Sequence, residues 1–344
     1  MNKFIETLKM ILFKTFNGMF FRNKNKIVLD KNNNYNGATI KFSNKFINSK
    51  TSNNIKIMSE KIKNFLIVMT RDCKNFKTDL LLNNLKKTLF DISSVDQENN
   101  EFYEGKVTSL VKNQSEVINT TYKINTFLSS NHELLHLSTL NLLISGFENA
   151  TSDPPLGKGL DEGYTQLLAE RYFNENKGEA YFFLVYFCKV LERIVGQDKM
   201  EKYYFNTSLP ALIDDLKQYS DEENIINFVK NMDLLKKNDL QIDNPTLEEI
   251  NQFQSTVDNI SKFLLSCFKR KIDITLENDL EYDIEDYIDY LFTDIFVIEI
   301  PVKFVNSTNI KEYTVNLFQE EDIDILFDYV DNRIELRETK TKRR

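Results

Sequence analysis

The chain has two histidines in 344 residues, and they stand four positions apart: His132 and His136, in the run Asn131-His-Glu-Leu-Leu-His-Leu137. On an α-helix, residues i and i+4 lie on one face, so both imidazoles aim at the same point. Glu133 falls on the adjacent strip, able to reach a water at that point without becoming a ligand. The spacing H-E-x-x-H is therefore a two-histidine grip for a metal with a base beside it, and the segment must be helical for the grip to close. Ser129, Ser130 and Asn131 are helix-start residues. From there to Gly146 leucine and isoleucine recur, at Leu134, Leu135, Leu137, Leu140, Leu142, Leu143 and Ile144, so we expect a helix running to about Gly146 and buried on several sides.

Two imidazoles do not complete a site, and no third histidine exists to do so. That excludes the H-E-x-x-H-x-x-G-x-x-H arrangement and points to a carboxylate from a downstream helix, the His2Glu set. Glu162 qualifies. It follows a loop over 147–159 containing Pro154, Pro155, Gly157 and Gly159, and it opens a helix whose Leu160, Tyr164, Leu167, Leu168 and Tyr172 share one face. Glu162, Gln166 and Ala169 share another. Two rivals for the third ligand lie in the same segment. Asp161 fits better as a helix N-cap. Glu170 is rotated by about 80° from Glu162 at about 3.6 residues per turn.

In H-E-L-L-H and in Asp161-Glu-Gly-Tyr-Thr-Gln166, the chain resembles the gluzincins, the thermolysin-like superfamily of zinc metallopeptidases, over roughly residues 122 to 174. The resemblance implies that His132, His136 and Glu162 hold Zn2+ and that Glu133 is the general base. The expected fold is α+β. Its zincin-like core has a small mixed sheet with an edge strand, the H-E-x-x-H helix and the glutamate-ligand helix, followed by mostly helical C-terminal additions. The sequence departs from the family at Gln166, where an aspartate bonded to a ligand histidine is common. A glutamine carbonyl can still fix an imidazole tautomer, without charge. Family members add a histidine or tyrosine donor for the oxyanion. Here that role falls to Tyr164, Tyr181, Tyr186, Tyr203, Tyr204 or Arg171. The substrate, a peptide or protein, is expected to lie antiparallel to an edge strand at 121–127, whose residues alternate polar and apolar.

The alternating patterns and turn signals place short strands at 26–30 and 38–42, helices at 59–70 and 77–91, and β-type sequence over 104–117. Further helices are expected at 182–194, 207–218, 221–236 and 246–270, the last opened by a Thr246/Glu249 capping box, and at 280–292. A strand at 296–305 is interrupted by Pro301, and residues 340–344 should fray. The domain division that follows is an N-terminal amphipathic helix (1–25), a metallopeptidase core (26–205), a helical subdomain (206–271) and an acidic C-terminal region (272–344). Abundant Asn, Lys and Ile with scarce Gly and Pro favour long helices and fit an A/T-rich bacterial gene.

Charge is uneven. Residues 1–90 carry 18 Lys/Arg against 5 Asp/Glu, whereas 272–299 hold ten acids and no Lys or Arg. Two solvated faces account for this. A docking surface for a basic partner at 272–299 is the sharper reading. The basic N-terminal part lacks any reader motif, so no nucleic acid is expected. Residues 1–21 are apolar-rich but broken by Glu6, Lys9 and Lys14, so they suit docking on the protein's own core, with weak membrane-surface contact as the alternative. Cys73, Cys188 and Cys267 are scattered and odd in number, which argues against a disulfide framework and for a reducing cytoplasm. Cys188 is expected to be a core thiol. Three functions fit: a zinc peptidase, a zinc-stabilised binding or regulatory protein that does not cleave, and a zinc hydrolase acting on a non-peptide bond. Retention of Glu133 favours the first.

Overall fold

The computed structural model describes residues 25–28, 38–43, 47–49, 51–92, 106–112, 116–123, 127–141, 144–149, 153–175, 181–237, 246–277, 299–305 and 310–342. Over these the protein is α+β and mostly helical, with small sheets. The expected helices at 1–25 and 280–292 lie outside the described residues. The chain divides into two compact units, Met1–Ser145 with Leu168–Lys177, and Gly146–Leu167 with Gly178–Arg344.

In the first unit, α1 (Ser52–Asp72) starts where the Thr51 hydroxyl accepts from the Asn54 amide at 3.2 Å. It buries Met58, Ile62, Phe65, Leu66 and Met69, whose three- and four-residue spacing makes one stripe. The helix expected over 77–91 is shorter: α2 spans Thr78–Lys87 and gives way to a strand at Thr88. The buried Asn25 explains the stop. Its side-chain amide donates to the carbonyls of Leu85 and Thr88, both at 2.9 Å, taking up acceptors that further helical turns would use. The two strands expected near the N-terminus form as β1 (Lys26–Val28) and β2 (Thr39–Lys41), an antiparallel pair.

A four-stranded sheet is built from β3 (Ile47–Asn48), β4 (Thr88–Asp91), β5 (Lys106–Lys112) and β6 (Glu116–Lys123) in the order β3-β4-β6-β5. It is mixed: β3 and β6 run parallel to β4, and β5 is antiparallel to β6. This corrects one expectation. The alternating segment beginning at Thr121 is not an edge strand. It belongs to β6, which is paired on both sides, and Phe127–Ser129 form a 3-10 turn. Alternation reports one buried face, not a free edge. Over 121–123 both backbone edges of β6 are taken and leave a substrate nothing to pair with, while 124–126 of the expected strand lie outside the described residues.

The motif helix α3 (Ser130–Thr139) follows, and it too is shorter than expected, since Leu140 closes it by donating to the His136 carbonyl. Asn84 of α2 then captures the carbonyls of Leu137 and Leu140, each at 2.8 Å. The short strands β7 (Ile144–Ser145) and β8 (Glu148–Asn149) lead on to α4 (Lys158–Phe173), whose residues are shared between the two units.

The second unit holds the first turns of α4 among α5 (Phe182–Val195), α6 (Gln197–Phe205), α7 (Leu209–Leu216), α8 (Glu222–Lys237) and α9 (Leu247–Glu277). Glycines permit the closeness. A Cβ on Gly159 would stand 2.0 Å from the Met232 carbonyl oxygen, and one on Gly163 would stand 2.8 Å from the Leu184 Cβ. The capping box of α9 is present, with Thr246 N donating to Glu249 Oε2 at 2.7 Å and Glu249 N to Thr246 Oγ1 at 3.2 Å. A hairpin of β9 (Glu299–Val305) and β10 (Ile310–Asn316) accommodates Pro301, because β9 has one described neighbour and needs no second ladder. Of the terminal segment expected to fray, residues 340–342 continue α10 (Glu320–Lys342) and 343–344 lie outside the described residues. Asp273 of α9 holds this helix, accepting from Tyr329 and from the Arg333 Nε, each at 2.7 Å. One acid of the 272–299 segment is thus neutralised within the chain. The three cysteines are free and buried, and burial drives the Cys188 thiol well above its usual range.

Candidate metal centre

The motif helix is seated from below and fastened from the side. Tyr122 of β6, fully buried, donates its hydroxyl to the Ser130 carbonyl at 2.8 Å. Lys61 of α1 donates to the Phe127 carbonyl at 2.9 Å, fixing the turn before the helix. The exposed amides at the helix start are taken by Glu175, two residues beyond α4. Its carboxylate oxygens accept from Asn131 N at 3.0 and 2.9 Å, and one reaches His132 N at 3.5 Å. A carboxylate there also suits the positive end of the helix dipole. Burial pushes the Glu175 carboxyl up to about 7, while the Asn131 amide and the nearby Lys61 pull it down. Burial likewise raises the Tyr122 phenol well above its usual value, with Glu133 and Glu175 adding to the effect.

On this helix the imidazoles of His132 and His136 converge. Their Nε2 atoms are 3.1 Å apart and their ring planes cross at 71°. Among the described residues one group of three has metal-ligand character: His132, His136 and Glu162, each offering an atom within 4.8 Å of the others. Glu162, not Asp161 or Glu170, completes it. The spacing of the two nitrogens is compatible with a shared metal ion. A tetrahedral ion about 2.05 Å from each nitrogen would hold the two about 3.3 Å apart, close to the separation observed. Glu133, next to His132, is 4% exposed.

The first turns of α4, which carry Glu162, are fixed within the second unit. Asp233 of α8 accepts from Gly157 N at 2.9 Å and Gly159 N at 2.7 Å, so a distant aspartate caps the helix. Asp161 is not the N-cap. The helix already starts at Lys158, and the buried Asp161 instead accepts from Phe147 N at 3.0 Å. Phe147, Tyr164 and Tyr204 form a mutual aromatic cluster with centroids 5.5 to 5.7 Å apart.

The expected oxyanion donors are scattered. Tyr164 donates to Glu192 at 2.7 Å, and the Tyr204 hydroxyl pairs with Thr165 at 2.7 Å. Tyr186 is buried against Phe187 and Phe318. Tyr181 lies under the Lys236 ammonium at 4.1 Å. Tyr203 is half-buried, its phenol raised by burial and by Asp215. Arg171 lines a groove that Asn131 also lines, immediately before the first histidine. Gln166, one turn after Glu162, is 1% exposed.

Sequence reasoning missed Glu175, Lys61 and Asp233. Each acts across 44 to 76 positions on backbone groups, which leave no mark in a local pattern. Asn131 was legible only as a helix-start residue. Compared with family models, curated proteins and solved structures, the chain matches none.

Proposed function

We propose that the protein is a zinc-dependent peptidase of the gluzincin type, with His132, His136 and Glu162 as ligands and Glu133 as general base. The observation that carries this reading is the convergence of the two imidazoles and Glu162 beside a buried carboxylate that follows the first ligand. Zinc suits a His2Glu set with an open fourth position, and when bound it supplies Lewis acidity to a water and to the scissile carbonyl.

The rest of the chemistry belongs to the chain. Glu133 accepts the proton of the attacking water as the C–O bond forms, then delivers it to the departing amine as the C–N bond breaks. Gln166 serves as an uncharged acceptor that orients a ligand imidazole. Tyr164 and Tyr204 hold the helix bearing Glu162, since their hydroxyls are engaged by Glu192 and Thr165.

The test is metal analysis combined with turnover of a mixed peptide library. Wild type should hold one zinc per chain and cleave. Glu133→Gln should keep its zinc and its melting temperature, yet lose about 10²- to 10⁴-fold in rate. Equal rates for the two proteins would eliminate Glu133 as the base.

A further inference from the structure

The first unit contains a cavity of about 880 Å³ between α1, the end of α4 and Asn131. Its long wall is one face of α1. Residues 53, 56, 57, 60, 61, 64 and 68 line it, a spacing of three and four that runs the groove along about 22 Å of helix at about 1.5 Å per residue. An occupant that fills such a length is a chain, and about seven extended residues would span it at about 3.3 Å each.

The lining specifies the chemistry. Lys56, Lys61 and Arg171 bring three positive charges. Glu60 is the one acid among the described lining residues, and Lys63 lies 3.8 Å from its carboxylate. The groove is therefore a positive surface on a chain whose net charge is −8. Ile57, Val68 and Phe173 add apolar contact between the charges. Asn131 supplies the fourth element. It is 7% exposed, and its Oδ1 is buried with no hydrogen-bond partner. Both its backbone amide and its side-chain amide serve Glu175, which leaves the Oδ1 as an acceptor facing no donor. An enclosed acceptor of this kind is costly, and a donor arriving with an occupant removes the cost. A peptide backbone N–H is such a donor. A phosphodiester backbone has none to give.

We propose that this groove binds an extended acidic peptide segment, its carboxylates paired with Lys56, Lys61 and Arg171 and one backbone N–H donated to Asn131 Oδ1. The binding itself requires neither metal nor hydrolysis.

The experiment uses full-length Glu133→Gln protein, so that no probe is consumed, and a fluorescein-labelled peptide of alternating glutamate and leucine followed by anisotropy. The acidic peptide should bind, weaken with added salt, and bind at least tenfold more tightly than its glutamine or lysine counterparts. Lys56→Glu combined with Asn64→Glu changes two exposed positions of the α1 wall. It should weaken binding at least tenfold while the melting temperature stays put, and Asn131→Ala should weaken it severalfold. Equal binding of acidic and glutamine peptides would overturn the proposal. So would tighter binding of a single-stranded oligonucleotide, or an affinity unmoved by the double substitution. Acidic-peptide binding without any cleavage by wild type would leave this inference standing and remove the peptidase reading alone.

Discussion

A single carboxylate ties the motif helix to a residue 44 positions away. Glu175 sits at the start of α3, buried, and accepts the backbone amides of Asn131 and His132 at the N-terminal end of the histidine pair. Its cost is visible in its titration. The folded protein holds the group at about 7 against an ordinary 4.5. Between those values the folded state binds more protons than the unfolded chain, so stability falls as pH rises from about 4.5 through about 7. The span corresponds to roughly 3 kcal/mol at about 1.4 kcal/mol per unit. Urea denaturation of metal-free protein from pH 5 to 8 should therefore show a steeper loss for wild type than for Glu175→Gln, whose amide does not titrate. Parallel curves would mean that the carboxyl is not held in this environment. The Glu162 position belongs to the same scale. Periodicity and the lack of a third histidine pointed to Glu162, and it is Glu162 rather than Asp161 or Glu170 that stands in the group that could hold a metal ion.

Helix α4 illustrates what an element needs beyond its own periodicity. Its first turn lies so close to α8 that Gly159 faces the Met232 carbonyl with no room for a methyl group. Gly159→Ala should gain helix propensity worth up to about 1 kcal/mol. It should lose more to the clash, because backbone cannot rotate away as a side-chain tip would. A net destabilisation of about 1–3 kcal/mol in denaturant titrations is expected, with weaker metal retention because the turn that bears Glu162 must shift. A gain in stability would show that α8 yields freely. The helices with strong apolar stripes or local caps, such as α5, α8 and α9 with its Thr246–Glu249 box, were legible in the sequence. Their boundaries failed where distant groups intervened: Asn25 ends α2, Asn84 receives the last carbonyls of α3, and Asp233 rather than Asp161 caps α4. The edge strand failed for a related reason. Alternation at Thr121 describes the face that β6 buries, whereas edges are decided by which strands arrive beside it.

At the scale of the whole molecule, the candidate centre draws on residues about 30 positions apart, so a bound ion acts as a cross-link that the unfolded chain does not hold in place. Free zinc at about a thousandfold above its dissociation constant would stabilise the fold by about 4 kcal/mol. Calorimetry should show the melting temperature of wild type dropping on treatment with a chelator and recovering with zinc. His136→Ala should melt at one temperature in either condition. A chelator effect of the same size in both proteins would place the metal elsewhere. No helix among the described residues is long and apolar enough to cross a membrane. The rings of His132 and His136, with their Nε2 atoms 3.1 Å apart and no other imidazole in the chain, have a practical meaning as well. Every histidine ring resonance in a nitrogen-15 spectrum of this protein originates at the candidate centre. Tautomer, protonation and ligation can therefore be followed there in uniformly nitrogen-15-labelled protein of unaltered sequence, with no other histidine signal to subtract.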